Sequence, residues 1–222
     1  VCTPTEGNPC SPMTGNKLLQ ESDFSSQHLR WSRYYHSALE RSNGQLGQGW
    51  NHSYSASLVF SGGYTLIGAD GNVLEFSATG DGMYRSINRP GTILVVEGDL
   101  ARVIHEGGRS ETYELIPAFG NEPPRFRLSE IGEPERPGHP IKLTYDGISG
   151  LLDAVTGPFG RQIRLEYADG ARISAVIMPD LGRIEYFYDA YANLESVVYQ
   201  DASIRIYLYE NPAFPNHLTG VI

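Results

Sequence analysis

From residue 141 onward the chain alternates apolar and polar residues at a period of two. Ile163, Leu165 and Tyr167 point one way, and Arg164 and Glu166 point the other; Ile184, Tyr186 and Tyr188 repeat the pattern. Alternation of this kind predicts strands with one buried face. Asp169-Gly170 and Ala192-Asn193 lie between such strands, where Gly and Asn tolerate the positive φ that a tight hairpin needs. GPFGR (157–161) and PDLGR (179–183) then join one hairpin to the next. Each unit is therefore two strands, and the hairpins are expected to add side by side into one antiparallel sheet.

The units repeat. IKLTYDG (141–147) leads to LLDAV (151–155), IRLEYADG (163–170) to RISAV (172–176), IEYFYDA (184–190) to NLESV (193–197) and RIYLYEN (205–211) to HLTGV (217–221). Their anchoring tyrosines are Tyr145, Tyr167, Tyr188 and Tyr209, spaced by 22, 21 and 21 residues. After each comes an apolar residue with a valine three further on: Leu152 and Val155, Ile173 and Val176, Leu194 and Val197, Leu218 and Val221. Four units that keep both a period and an internal spacing mark a repeat architecture.

Upstream the pattern is degenerate. RFRLSEI (125–131) matches the second half of a unit, with Leu128 and Ile131 three apart. GGRSETYEL (107–115) matches the first half, with Tyr113 in the anchor position and AFGNEPP (118–124) as a longer loop. GYTLIGADGNVLEF (63–76) reads as a hairpin turning at Asp70-Gly71, and residues 92–108 as one turning near Glu97-Gly98-Asp99. Nothing past residue 60 reads as helix. Residues 18–39 are ambiguous: their spacing permits a helix in part, while the serines and the Tyr34-Tyr35 pair suit strands. The expected fold is thus all-β. A small β-rich N-terminal module (1–78) precedes a curved antiparallel sheet of consecutive hairpins (79–222), with clear units from about 141.

Composition narrows the function. Twenty-five glycines and fourteen prolines favour many turns and short elements. Fourteen tyrosines suit half-buried sheet faces, because the ring packs while the hydroxyl stays wet. A net charge of −9 argues against a nucleic-acid partner and against a polybasic membrane anchor. No apolar run approaches the length of a membrane span. The chain starts at Val1 and stops in HLTGVI, and it is read as a segment of a longer protein. Cys2 and Cys10 are either free thiols or a short-loop disulfide formed after export, and no ligand pair for zinc stands near them.

Chemistry-bearing patterns are few. The six histidines are scattered, without HExxH or a metal-ligand cluster, and His36 and His52 read as polar supports of the N-terminal module. No nucleophile elbow, phosphate-binding loop or nucleotide fingerprint occurs, so neither catalysis nor a cofactor is expected. Asp146 and Asp189, each directly after an anchor tyrosine, read as turn-formers rather than a glycosidase pair. The tyrosines read as cross-strand packing; the alternative is a sugar-stacking surface at Tyr186 and Tyr188. Trp31 and Trp50 read as core anchors. The glycines of Gly47-Gln48-Gly49 allow a sharp bend and close approach before Trp50.

The units resemble the YD repeat of the Rhs family, whose loose pattern is a Gly-rich turn, a strand ending in Tyr-Asp, a second turn and a strand with Leu-x-x-Val. IEYFYDAYANLESV (184–197) matches best, whereas Tyr167 is followed by Ala168 and Tyr209 by Glu210. The N-terminal part is similar to the module that opens the repeats in that family. Its pattern is met by Gly7-Asn8-Pro9, Thr14-Gly15-Asn16-Lys17, Asp23-Phe24, Arg33-Tyr34 and Gly47-Gln48-Gly49-Trp50. The resemblance implies a structural role. Repeats of this kind form the wall of a hollow shell that encloses a variable C-terminal toxin, in a bacterial protein that is secreted or exposed at the cell surface. The implied partners are the rest of the shell, the enclosed toxin domain and secretion machinery; a glycan is the alternative partner.

Overall fold

The computed structural model describes residues 16–39, 43–80, 82–117, 122–168 and 171–222. Gly15, Cys2, Cys10, the Asp169-Gly170 turn and most of the 118–124 loop lie outside the described residues. Among those described, the regular structure is antiparallel strand, apart from two three-residue 3-10 turns at Ser37–Leu39 and Pro158–Gly160. The ambiguous stretch after residue 17 is a pair of strands, β1 (Leu18–Ser25) and β2 (Arg30–His36). The chain divides into two compact units. One takes in the chain up to Ser53, Tyr145–Ala154 and Gln162–Ile222; the other takes in Tyr54–Thr144 and Val155–Arg161.

In the first unit β1 and β2 are followed by the small hairpin β3 (Asn43–Gly44) and β4 (Gly47–Gln48), then by β5 (Trp50–His52). β1, β2 and β5 form a three-stranded sheet, in the order β1-β2-β5.

The second unit contains β6 (Ser57–Phe60), β7 (Tyr64–Ile67), β8 (Val73–Ala78), β9 (Met83–Ser86), β10 (Ile93–Glu97), β11 (Leu100–Ile104), β12 (Ser110–Ile116) and β13 (Arg125–Gly132). Neighbours in sequence pair in turn from β6 to β13, and β13 also pairs with β6, so the eight strands close into a barrel. This corrects the expectation of an open curved sheet over the part of it that covers residues 79–132. The physical reason is the length of β13. Its eight residues pair with β12 along most of their run and still hold β6 through Arg125–Arg127. Closure leaves no free edge along this stretch. Leu58, Leu66, Leu94, Val103, Tyr113, Phe126 and Leu128 are among its buried residues.

The remaining strands are β14 (Ile141–Tyr145), β15 (Leu152–Thr156), β16 (Gln162–Ala168), β17 (Arg172–Ile177), β18 (Arg183–Tyr188), β19 (Leu194–Val198), β20 (Ile204–Leu208) and β21 (Gly220–Val221). Within the first unit β16 to β21 pair consecutively as antiparallel neighbours.

A bulge at the anchor tyrosines Tyr167 and Tyr188 accounts for the three-residue spacing in their units. A strand that alternates strictly returns to the same face at i+2, not i+3. Glu166 pairs with Ala175 but Tyr167 with Ile173, which leaves Ser174 as the extra residue. Phe187 pairs with Ser196 but Tyr188 with Leu194, which leaves Glu195. One extra residue puts i and i+3 on one face, so Ile173 and Val176, and likewise Leu194 and Val197, are all fully buried. The barrel carries the same device at Tyr113, which pairs with Leu128 after Thr112 pairs with Glu130.

The links between hairpins repeat too. The Met178 N–H donates to the Gly182 carbonyl at 2.8 Å, and the Tyr199 N–H to the Ser203 carbonyl at 2.9 Å. Each link puts a non-glycine residue at positive φ, Leu181 at 69° and Ala202 at 63°. In the turn after Tyr188 the positive φ belongs to Ala192 at 64°, not to Asn193. Asn193 is instead buried, and its side-chain amide donates to Asp189.

Candidate functional site at the tyrosine hydroxyls

Two of the anchor tyrosines, Tyr167 and Tyr188, fasten their unit to the one before. The Tyr167 hydroxyl donates to the Leu152 carbonyl at 2.7 Å, and the Tyr188 hydroxyl to the Ile173 carbonyl at 2.6 Å. Both bonds reach back 15 residues. Tyr209 departs from this, because its hydroxyl accepts the Trp50 indole N–H at 3.1 Å. Tyr145 ends β14 and is half-buried. The aspartates that follow two of these tyrosines organise turns. Asp146 Oδ1 accepts from the Ile148 and Ser149 N–H groups and from the Ser149 hydroxyl. Asp189 Oδ1 accepts from the Tyr191 and Asn193 N–H groups.

A second set of tyrosines carries the polar centre of the first unit. A β-bulge between Ser22 and Phe24 sets Asp23 off from the pairing of β1 with β2, and the Asp23 carboxylate meets Arg33. Arg33 Nε donates to Asp23 Oδ2 at 2.6 Å and Nη2 to Oδ1 at 2.9 Å, and both side chains are fully buried. The guanidinium also donates to the Tyr207 hydroxyl at 2.7 Å and to the Tyr199 hydroxyl at 3.1 Å. The Tyr199 and Tyr186 hydroxyls donate to the two oxygens of Asp23, and the Trp31 indole donates to Tyr186 at 2.8 Å. The rings of Trp50, Tyr186 and Tyr207 lie within 5.4–5.7 Å of the Arg33 carbon, so the cation is enclosed by aromatic faces.

Isolated charges this deep would be strongly unfavourable; here pairing and hydrogen bonding satisfy both ions. Burial works against charge on Arg33, but the hydrogen bonds and charge of Asp23 outweigh it and hold the guanidinium protonated. Burial pushes the Tyr186 phenol well above its ordinary value and Tyr207 up to about 12.

Further contacts come from the tip of the β3–β4 hairpin and from Lys17. The Gln45 carbonyl accepts the Ile173 N–H at 2.8 Å, directly at the bulge, and Leu46 beside it is fully buried. Gly47 has φ of +90°, and a Cβ there would come within 2.6 Å of the Ala192 carbonyl, so the close approach requires glycine. Lys17 Nζ donates to the Leu218 carbonyl at 2.8 Å, and the Leu218 N–H donates to the Tyr35 hydroxyl at 3.0 Å. Two side chains of the N-terminal strands thus satisfy both backbone groups of Leu218. Burial lowers the Lys17 pKa. His52 stacks on Trp31 at 4.7 Å and meets Gln45 Oε1 at 3.0 Å. Burial pushes its pKa down to about 3, so the ring is neutral.

The structure therefore brings Lys17, Trp50, Tyr186, Tyr188, Tyr209, Ile173, Leu194 and Leu218 into one unit, in which Leu152 and Tyr167 also lie. Asn16 is half-buried next to Lys17. The sugar-stacking alternative at Tyr186 meets a physical obstacle. Its ring is 3% exposed and its hydroxyl is engaged, so no aromatic face is open to a ligand. The Tyr188 ring is covered by the Arg172 guanidinium at 5.3 Å.

Sequence reasoning missed Asp23, Arg33, Gln45, Tyr199 and Tyr207 as one cluster. A signal was present: only the third and fourth units carry Tyr-x-Tyr, at Tyr186/Tyr188 and Tyr207/Tyr209, where the earlier units have Leu143 and Leu165. The extra tyrosines are the ones that meet Trp31 and Arg33. Among the described residues no group of three or more His, Cys, Asp or Glu could hold a metal ion. No helix there is long and apolar enough to cross a membrane.

Comparison with known proteins adds one match. No curated protein matches the chain. A family model described as a domain of unknown function, DUF6531, matches residues 7–76.

Proposed function

We propose that this chain is a non-catalytic wall segment of an Rhs-type YD-repeat shell that encloses a C-terminal toxin domain and is exported by a bacterium. The observation that carries the reading is the way successive hairpins are fastened at Tyr167 and Tyr188: each has a bulge and a hydroxyl bonded to a carbonyl 15 residues earlier. A unit built so adds to its neighbour without altering it, which is what a long wall needs. The N-terminal strands support the same reading. They fill the polar centre of their unit with Trp31, Arg33, Trp50 and Lys17, each bonded to a tyrosine or backbone group of the repeats. In this reading they brace the first units of the wall rather than perform chemistry.

The test is expression of the complete native reading frame, followed by electron microscopy and limited proteolysis. The expected result is a hollow particle with a C-terminal segment protected until the particle is denatured. A frame that stops within a few units of Ile222, or a C-terminal segment cut freely in the native particle, overturns the proposal.

A further inference from the structure

One buried oxygen of the first unit lies outside the hydrogen-bond network of the repeats. Asn193, in the turn between β18 and β19, has no exposed surface. Its side-chain Nδ2 donates twice, to Asp189 Oδ2 at 2.8 Å and to the Pro215 carbonyl at 3.1 Å. Both partners are acceptors only, so the amide nitrogen faces them and the orientation of the amide is fixed. Oδ1 points away from them, and it is buried without a hydrogen bond among the described residues. Asn216 Oδ1 is buried and unbonded in the same way. Asn216 directly follows Pro215, between β20 and β21. The two oxygens thus belong to side chains that flank one peptide group, Pro215–Asn216.

This is the place where the fastening of the repeat changes. The Tyr167 and Tyr188 hydroxyls each reach back 15 residues to a carbonyl. At that spacing Tyr209 would reach Leu194, but its hydroxyl accepts from Trp50 instead. The Asn193–Pro215 bond spans 22 residues and joins the turn of the third unit to that of the fourth. The tip of the β3–β4 hairpin lies against the same turn: a Cβ on Gly47 would stand 2.6 Å from the Ala192 carbonyl oxygen and 3.5 Å from the Asn193 carbonyl carbon. A buried amide oxygen without a donor is unfavourable, and in folded proteins such atoms are served by protein groups or by internal water.

We propose that Asn193 Oδ1 and Asn216 Oδ1 share one internal water molecule, which completes the junction between the third and fourth units. The chemistry selects the occupant. Two neutral acceptors call for a ligand that donates two hydrogen bonds, and water carries two donors on one small atom. Both oxygens are buried, which excludes a ligand of any size. A calcium ion takes six to eight oxygen ligands, and the nearby carboxylate is not free to supply them. Asp189 already accepts from the Tyr191 and Asn193 N–H groups on Oδ1 and from Asn193 Nδ2 on Oδ2. The inference is independent of the shell reading.

The test is crystallography of the chain at a resolution that shows ordered water, on crystals grown in sodium chloride and on the same crystals soaked in rubidium chloride. The expected result is a density peak ~2.8 Å from both amide oxygens, with no anomalous signal after the soak. Asn216→Leu keeps the shape of the side chain and removes its acceptor, and should lose the peak. Unchanged tryptophan fluorescence establishes that this variant is folded, since Trp31 and Trp50 lie in the same unit. No peak in the parent, or a peak bonded to only one of the two oxygens, overturns the proposal. So does a peak that persists in Asn216→Leu. A protein group donating directly to Asn193 Oδ1, such as the Asn216 amide turned over, overturns it too. An anomalous rubidium peak assigns the site to a monovalent cation and overturns it as well.

Discussion

His52 offers a sharp test of the polar centre. The ring is 2% exposed, stacked on Trp31 and paired in register with Arg33 on the neighbouring strand. Its folded pKa of about 3 lies below the ordinary histidine value of 6.5, with burial as the cause. The sign follows from proton linkage. Above pH 6.5 the ring is neutral folded and unfolded, and stability is full. As pH falls below 6.5 the unfolded chain takes up a proton that the folded chain refuses, and stability drops until the folded ring titrates near pH 3. Each unit of pKa difference is worth about 1.4 kcal/mol, so the whole shift amounts to about 5 kcal/mol, and the fall between pH 7 and pH 5 to about 2 kcal/mol. Urea unfolding followed by tryptophan fluorescence reads the first unit selectively, because Trp31 and Trp50 are the only tryptophans in the chain. His52→Phe keeps an aromatic ring against Trp31 and cannot titrate, so its unfolding free energy should vary much less between pH 7 and pH 5. Equal stability of the parent at the two pH values, or an unchanged slope in His52→Phe, would refute the argument.

Three further outcomes follow from the same geometry. Tyr188→Phe removes one hydrogen bond to the Ile173 carbonyl and should cost about 1 kcal/mol, whereas Tyr186→Phe strips a partner from both Trp31 and Asp23 and should cost about 2 kcal/mol; urea midpoints compare the two. Arg33→Met alone leaves Asp23 buried without its cation and should cost about 3–5 kcal/mol, while the double variant with Asp23→Leu should recover much of that; a double-mutant cycle of unfolding free energies measures the coupling. Gly47→Ala forces a side chain into a positive-φ position within 2.6 Å of the Ala192 carbonyl and should lower stability by about 2 kcal/mol or more in thermal unfolding, with Gly62→Ala, which meets nothing within 4 Å, losing less.

Much of the strand structure is legible in the sequence, because period-two alternation is a local signal and each strand has one buried face. Ile163, Leu165 and Ile184 alternate with polar residues in the chain and are buried in the structure. The spacing from Ile173 to Val176 and from Leu194 to Val197 is legible as a number, but its cause is not. The bulge that makes three residues equal one turn of alternation exists only once the partner strand is in register. The stretch from Leu18 to Leu39 stays ambiguous in sequence, since its two strands owe their place to tertiary partners for Asp23, Trp31 and Arg33. The cluster around Arg33 joins residues more than 150 positions apart, and no local pattern reports such a distance.

By itself, then, the sequence determines that this chain is built of antiparallel hairpins with a tyrosine at a fixed place in each unit. Alternation, turn residues and period are properties of neighbouring residues, and neighbours are what a sequence records. Only the tertiary structure decides that residues 57–132 close into a barrel, because closure depends on whether β13 can reach β6 as well as β12. It alone decides which tyrosines fasten units together and which enclose Arg33. Both kinds stand two residues apart in β18, at Tyr186 and Tyr188, and they differ in what lies over them when the chain has folded.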